Sequence, residues 1–425
     1  MAPERGVFCE DDGSSANQPK SRFDLITIKA AVIGPGDDFF SWWGHLGIIC
    51  DDAFTGESRF YDYGVFSFDE ENFFSNLIAG NWYYSMTVRD AKYDIGWYIN
   101  NNRDVVYYTL NLSAAQKKKM LDFLEWNALP QNRRYYYKIF TDNCVTRPLL
   151  LLDDVLDGAF LSRYNNEKGR FTVREHANRH LYPSQVMYWI LNFVMGAGID
   201  AESSRTDEMY LPQEFAGGLE DFTVEKDDGS KERLVSNVEV INISSGRNLA
   251  LDAPPSYFAQ TAAAGMFLAV LFLIFNYLYA IKKIKWAFIA FYACCAVFSF
   301  VFGVLGTTLC YASFFSNHIY TYNNINVIFV NPVFLAACVM SLIAIFTKNK
   351  KRSLAARKAV AVIYAFVFIA ASFAAVLTMF PPFFQDSRLA ILLIAPPAAA
   401  LGLSGRPPKV FQAVGRALKS RFKGV

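Results

Sequence analysis

The sequence predicts a water-exposed α+β domain followed by an α-helical bundle of about five membrane-spanning helices. Three observations predict it. From Met1 to about Leu251 the chain is rich in Asp, Glu, Arg, Asn and Tyr, whereas from Ala253 onward long apolar runs are broken by short basic loops. In the polar part, strand-like stretches alternate with helix-start signals. In the apolar part, several runs are long enough for the ~30 Å hydrocarbon core, which takes about 20 helical residues. The expected divisions are a disordered segment 1–23, an outer domain 24–250, a transmembrane helical domain 253–403 and a basic cytoplasmic tail 404–425.

In the outer domain, Asp24–Ile33 (DLITIKAAVI) reads as a strand, and Gly34-Pro35-Gly36 turns the chain. Gly44–Cys50 and Arg59–Phe66 read as two further strands joined by a polar turn around Thr55-Gly56. Val105–Leu112 is another strand. Ser113 with Gln116 three positions on forms a capping box and opens a helix through Asn127. Tyr135–Phe140 leads to Asp142-Asn143-Cys144, and a helix follows through about Leu156.

In the apolar half, Ala253–Ile281 carries no charge and spans once. Trp286–Thr347 is also uncharged but too long for one helix, so it divides at the polar, Asn-rich Ser316–Asn326. Ala359–Phe380 is a fourth span, and Leu389–Leu403, with Pro396 and Pro397, a short fifth. Lys282, Lys283 and Lys285 follow the first span, a cluster from Lys348 to Lys358 follows the third, and further Lys and Arg follow the fifth. The turns after the second and fourth spans hold none or only Arg388. Basic loops face the cytoplasm, so the domain before Ala253 is expected outside. Val410–Val425 reads either as a basic amphipathic helix on the inner leaflet or as a solvated tail. An outside domain needs an export signal, and Met1–Lys20 has no apolar core of that kind; the expectation is that a signal was removed or lies upstream.

Composition excludes some functions. The net charge of +2, without clustered Lys and Arg on a polar segment, gives no nucleic-acid footprint. Of the 7 cysteines, Cys294, Cys295, Cys310 and Cys338 lie in apolar runs and read as small core residues. Cys9, Cys50 and Cys144 fall in the polar half, and no Cys or His spacing makes a zinc motif. His176 and His180 are i, i+4 but lack a third ligand, so no metal and no soluble cofactor is expected.

Two residues carry the expectation of chemistry. His45 opens a strand, and Cys144 sits where a loop becomes a helix. A helix N-terminus favours a thiolate and can hold an oxyanion, and a thiolate beside a histidine is an activated nucleophile. Each residue alone also has a bland reading, as an inert core thiol and a structural histidine.

The stretches Gly34–Cys50 (GPGDDFFSWWGHLGIIC), Tyr61–Phe68 (YDYGVFSF) and Tyr135–Arg147 (YYYKIFTDNCVTR) resemble the Lnb-type bacterial lipoprotein N-acyltransferases. The resemblance extends over roughly Asp24–Phe215, taking in FTVRE at Phe171–Glu175 and TDEMYLP at Thr206–Pro212. It implies a circularly permuted papain-like fold in which the His strand precedes the Cys helix. It further implies Cys144 as nucleophile and His45 as general base. Asp62 is the expected third residue, orienting the imidazole, where the family pattern more often has Asn; the alternative is an Asp tied into the following turn. Asn143 and the backbone N–H of Cys144 are expected at the oxyanion, and Trp42, Trp43 and Tyr63 at the substrate. Pro148 departs from the pattern and predicts a helix that starts nearer Thr146. Trp42 and Trp43 are bulkier than the usual pair there.

The function so implied moves an acyl chain from a membrane phospholipid, through a Cys144 thioester, to the α-amine of the lipidated N-terminal Cys of a lipoprotein. The implied place is the periplasmic side of a bacterial inner membrane. Two other readings stay open at this point: a membrane-anchored thiol peptidase or amidase, and a non-catalytic lipid- or protein-binding module.

Overall fold

The computed structural model describes residues 21–68, 71–225, 230–247, 250–381 and 383–404. Cys9, most of the segment read as disordered, and the basic tail with its amphipathic stretch lie outside the described residues. Ser21 already caps a 3-10 turn, Arg22–Leu25, through a capping box with Asp24.

The chain divides into two compact units that interleave in sequence: residues 1–66, 84–164 and 209–247 form one, and residues 67–83, 165–208 and 248–425 the other.

The first unit is built on an antiparallel sheet. Its strands are β1 (Ile26–Ile33), β2 (His45–Asp52), β3 (Glu57–Val65), β4 (Tyr83–Asp90), β5 (Val105–Leu110) and β6 (Arg134–Tyr136); β7 (Thr223–Glu225) and β8 (Lys231–Arg233) pair separately, and β9 is Val235–Asn242. The 7-stranded sheet runs β6-β4-β3-β2-β1-β5-β9. Alternation along the strands separates two faces. Ile26, Ile28, Ala30, Val32, Leu46, Ile48, Tyr61 and Tyr63 share one core with Leu121 and Leu124 of the helix Ala114–Ala128, Leu149 and Leu152 of Thr146–Val155, and Phe215 of Pro212–Asp221. Ala31, Ile33, Ile49 and Phe60 face the other way, against Ala91, Ile95 and Tyr98 of the helix Ala91–Asn100. β1, β2, β3 and β5 and the capped helix at Ser113 agree with the sequence reading to within a few residues. The strand Tyr83–Asp90 and the helix Ala91–Asn100 were not read: in the sequence the aromatics at Trp82, Tyr83 and Tyr84 hid the alternation.

The second unit holds four helices long and apolar enough to cross a membrane: Phe258–Ala280, Lys285–Phe315, Ile325–Phe346 and Lys350–Leu377. Ile325–Phe346 includes a 3-10 start at Ile325–Ile328 before the α-helix Val333–Phe346. Arg388–Gly402 is a shorter apolar helix of 15 residues with Pro396 and Pro397 inside it. It lies so close to Phe258–Ala280 that a β-carbon on Gly265 would stand 2.1 Å from the carbonyl oxygen of Leu392, and small residues permit such close approach. The Asn-rich turn is a hydrogen-bonded hub: Asn324 Nδ2 donates to the carbonyls of Phe193 and Val194, and Asn326 Nδ2 also to Phe193, at 2.9–3.0 Å. These carbonyls end the apolar helix Gln185–Val194, where no further helical N–H is available to them.

Ser113→Ala removes the hydroxyl that accepts from Gln116 N at 3.2 Å. The expected outcome is a loss of about 1 kcal/mol, read as a lower thermal midpoint of the purified protein with no change in its helix content.

Candidate active site

The site starts from strand register. Asp62 lies opposite Gly47 on the paired strands β2 and β3. His45 is two residues before Gly47, so His45 and Asp62 project from the same sheet face. Their side chains meet: His45 Nε2 and Asp62 Oδ1 are 2.6 Å apart. Gly47 makes room on that face, since a β-carbon there would strike the Phe60 ring at 2.2 Å. The other oxygen of Asp62 accepts from Arg89 Nη2 at 3.3 Å, and Arg89 Nε donates to Asp94 Oδ2 at 2.8 Å. The Asp62 side chain is only 4% exposed, so this carboxylate is fixed by two donors in a desolvated place. The alternative of an Asp tied into the following turn does not describe it.

Two residues beyond Asp62, Gly64 adopts φ +88° where β3 is irregular against β4. A β-carbon on Gly64 would lie 3.3 Å from Cys144 Cβ and 3.8 Å from His45 Cε1. Cys144 and His45 therefore flank one glycine, whose left-handed backbone and missing side chain let the thiol-bearing turn approach the histidine.

That turn is built by its own sequence. Asp142 pairs with Arg147, Oδ1 to Nε at 2.6 Å, and the Arg147 guanidinium lies 3.6 Å from the centre of the Tyr135 ring. Asn143 Oδ1 accepts from the N–H groups of Val145 and Thr146 at 2.8 Å, which satisfies the free donors where the helix Thr146–Val155 begins. Pro148 stands in the first turn of that helix, where its missing N–H costs nothing. Cys144 is left just ahead of the helix, 8% exposed.

Two expectations are corrected. Asn143 does not offer its amide to an oxyanion, because Nδ2 already donates to the carbonyls of Ile139 and Tyr210 at 2.9 and 3.0 Å and Oδ1 caps the helix. Tyr63 does not line the substrate path: it is 1% exposed, lies in the core on the face opposite Asp62, and donates its phenol to Asn127 Oδ1 at 2.7 Å. Strand alternation already contained that answer, since neighbours 62 and 63 must point apart. Trp42 and Trp43 are partly exposed and pack edge-on against the exposed Phe39, with ring centres 5.2 and 5.4 Å away. Trp42 Nε1 donates to the Asp37 carbonyl at 3.0 Å.

The electrostatics favour a charged histidine. Burial opposes the imidazolium of His45, but the Tyr98 phenol, the Asp62 carboxylate and Cys144 outweigh it, so its pKa stands well above the usual histidine value. Tyr98 holds its ring centre 6.0 Å from that of His45. Cys50 is different: burial, with Asp51 and Asp52 nearby, pushes its thiol up to about 11 and leaves it inert. His176, in the second unit, is bonded through Nε2 to Glu208 at 2.7 Å and through Nδ1 to Arg179 at 2.9 Å, which uses both nitrogens. Among the described residues no group of three His, Cys, Asp or Glu could hold a metal ion. Arg89, Asp94, Tyr98 and Arg103 gave no signal in the sequence; only folding brings Arg89 and Asp94 to the His45–Asp62 pair, Tyr98 to the His45 ring and Arg103 to Tyr98.

A mixed α/β domain with a buried His–Asp pair beside a thiol, in a chain with four membrane-length apolar helices, defines a membrane protein with a water-exposed domain. Residues 15–179 match the family model described as the Lnb N-terminal periplasmic domain. The matched stretch contains His45, Asp62 and Cys144. No curated protein and no solved structure matches the chain.

With 4 histidines in the chain, the titration of His45 can be followed by NMR on ring-labelled protein. Its charged form should persist above the ordinary range near pH 6.5. A histidine whose folded pKa is raised stabilises the fold fully below its unfolded pKa and loses that contribution as pH rises through the folded value. Asp62→Asn should bring the His45 titration down. An unchanged titration would mean that Asp62 does not hold the imidazolium.

Proposed function

We propose that this protein is a lipoprotein N-acyltransferase with a circularly permuted papain-like catalytic domain, acting at the periplasmic side of a bacterial inner membrane. Residues 24–250 form the catalytic part in this reading. Residues 253–403 form the membrane part, with Arg388–Gly402 as a fifth span that returns the basic tail 404–425 to the cytoplasm. The single observation that carries the chemistry is His45, bonded to Asp62 through Nε2 and separated from Cys144 only by the space above Gly64.

The bond at Nε2 leaves Nδ1 to exchange a proton with the thiol. His45 takes the proton of Cys144, and the elevated basicity of the imidazole favours that transfer. The thiolate attacks an acyl ester of a membrane phospholipid. A C–S bond forms, the ester C–O bond breaks, and His45 returns the proton to the departing lysophospholipid oxygen. The α-amine of the diacylglyceryl Cys of a lipoprotein then attacks the thioester. A C–N bond forms, C–S breaks, and the proton lost by the amine returns the thiol by way of His45. The backbone N–H of Cys144, at the start of the helix Thr146–Val155, is the donor we assign to the oxyanion, in place of the Asn143 amide. Trp42 and Trp43, with Phe39, offer an aromatic surface to an acyl chain. Both substrates are anchored in a bilayer, which gives the apolar helices their purpose. No metal or soluble cofactor enters these steps.

Wild-type protein mixed with phospholipid vesicles should acquire a hydroxylamine-labile acyl group on Cys144, located by peptide mass spectrometry. Cys144→Ser should lose it, His45→Ala should slow it by about 100- to 10,000-fold, Asp62→Ala should be milder, and Cys50→Ser nearly silent. In cells lacking their own N-acyltransferase, the wild-type protein should add one amide-linked acyl chain to lipoprotein N-termini. An adduct on Cys50, or release of fatty acid to water with no amide formed, would overturn the assignment, the latter in favour of a thiol hydrolase.

Orientation has its own check. A reporter placed in 316–326 should be periplasmic and one fused after Val425 cytoplasmic. A cytoplasmic signal from 316–326 would refute the five-span arrangement.

A further inference from the structure

Arg103 is an uncommon kind of arginine. It lies in the turn between the helix Ala91–Asn100 and β5, and it is only 6% exposed. Its Nε donates to the Gly34 carbonyl at 2.9 Å. Its Nη2 is buried and has no hydrogen-bond partner, and no carboxylate pairs with its guanidinium among the described residues. The guanidinium carbon stands 5.0 Å from the centre of the Tyr98 ring, which also neighbours His45. Its charge is felt by Cys144, Tyr98 and Asp62, and Arg247 lies near enough to repel it.

A buried guanidinium stays charged at any physiological pH, so burying one without a counter-ion is costly. Burial does press its pKa downward, which shows the direction of that cost. The molecule nonetheless builds a seat for it. A β-carbon on Gly36 would stand 2.5 Å from Ser41 Oγ, so the missing side chain lets the Gly34-Pro35-Gly36 turn close on Ser41, and the same spot lies 3.4 Å from Arg103 Cδ, in ordinary packing contact with the arginine stem. This turn leads directly into Trp42, Trp43 and His45. A second cation is close by: Arg247, which pairs with Asp37 at 2.7 Å. An uncompensated guanidinium with a spare N–H, near a second arginine and within the field of the reactive thiol, is a place for an anion.

We propose that Arg103 is the phosphate anchor of the acyl donor, binding the phosphodiester of a membrane glycerophospholipid while its ester carbonyl rests against Cys144. The inference rests on the proposed acyltransferase reading and names the group by which that site recognises its donor. In a glycerophospholipid only a short run of glycerol atoms separates the ester carbonyl from the phosphate. An anion subsite that senses Cys144 electrostatically therefore suits such a donor, and a neutral diacylglycerol brings nothing to it. The flat fork of guanidinium N–H groups matches phosphate oxygens. Arg103 is a specificity residue in this scheme and takes no part in proton transfer.

The test uses the full-length protein and follows acyl loading of Cys144 from three donors: phosphatidylethanolamine in vesicles, diacylglycerol in the same vesicles, and the phosphate-free ester p-nitrophenyl octanoate. Wild type should load faster from the phospholipid than from diacylglycerol. Arg103→Gln keeps a donor for the Gly34 carbonyl. It should slow loading from the phospholipid by roughly 10- to 100-fold, erase the preference over diacylglycerol, and leave loading from the p-nitrophenyl ester unchanged. Arg103→Lys, which keeps the charge without the fork, should fall between. Equal slowing with all three donors would overturn the proposal, since that is what a purely structural clamp on the Gly34–Gly36 turn would give. So would a phospholipid preference that survives Arg103→Gln. Millimolar inorganic phosphate should leave wild-type loading unchanged; competition by phosphate that disappears in Arg103→Gln would replace the lipid by a free anion as the occupant. Should wild type load from the p-nitrophenyl ester but never from a phospholipid, the acyltransferase reading itself falls and the anchor with it. If wild type and Arg103→Gln load from phospholipid at the same rate, only the anchor falls.

Discussion

The hydrogen bond from His45 to Asp62 is the constraint around which the sheet domain is arranged. A carboxylate as buried as Asp62 is tolerated only when donors hold it, and it has two, the His45 imidazole and the Arg89 guanidinium. Both come from neighbouring strands of one sheet, so the geometry is set by strand register rather than by a loop. Arg89 in turn is tied to Asp94 on the helix that covers this face. The histidine is thus oriented by a chain of charges that runs from the helix Ala91–Asn100 through the sheet.

Two glycines finish what the charges begin. Gly47 yields its space to Phe60, which packs the floor beneath the pair. Gly64 breaks the regular course of β3 with a backbone few other residues adopt, and the turn bearing Cys144 fills the gap. On the other side of that turn, Asp142, Asn143 and Arg147 spend their polar groups on the backbone and on each other. None of the three reaches toward substrate. Their effect is to hold one cysteine still at a helix start.

The two units trade segments along the chain for a physical reason. Segments 67–83 and 165–208 lie in the polar half of the sequence, yet their partners are the apolar helices and the turns that join them. Asn317 N donates to the Ala79 carbonyl at 2.7 Å, Trp82 packs on His318 with ring centres 5.9 Å apart, and Gln185–Val194 ends on Asn324 and Asn326. Buried within this unit, Arg174 joins Asp200 at 2.7 Å and also donates to the carbonyls of Met195 and Gly196. The polar turn thus obtains the hydrogen bonds that a membrane interior would deny it.

Much of this was legible in the sequence. Apolar runs marked the four membrane-length helices, since length and lack of charge decide what can cross a bilayer. Strand-like stretches bounded by turns marked β1, β2, β3 and β5, and the Ser113–Gln116 pair marked a helix start. His45, Asp62 and Cys144 were singled out by residue type and by resemblance. Resemblance does not say which groups remain free once the chain folds, and so it put Asn143 at the oxyanion and Tyr63 at the substrate. Tertiary structure gave the Asn143 amide to the backbone and turned Tyr63 into the core. It also gathered Arg89, Asp94 and Tyr98 around the His45–Asp62 pair, and Arg103 against Tyr98, from positions 44 to 58 residues beyond His45 in the chain whose spacing carries no signal. Sequence determined which chemical groups the protein owns and which stretches are long and apolar enough to cross a membrane. Only the packing of strands and helices decided which of those groups meet, because such meetings depend on register, on the room left by a glycine, and on which hydrogen bonds are already taken.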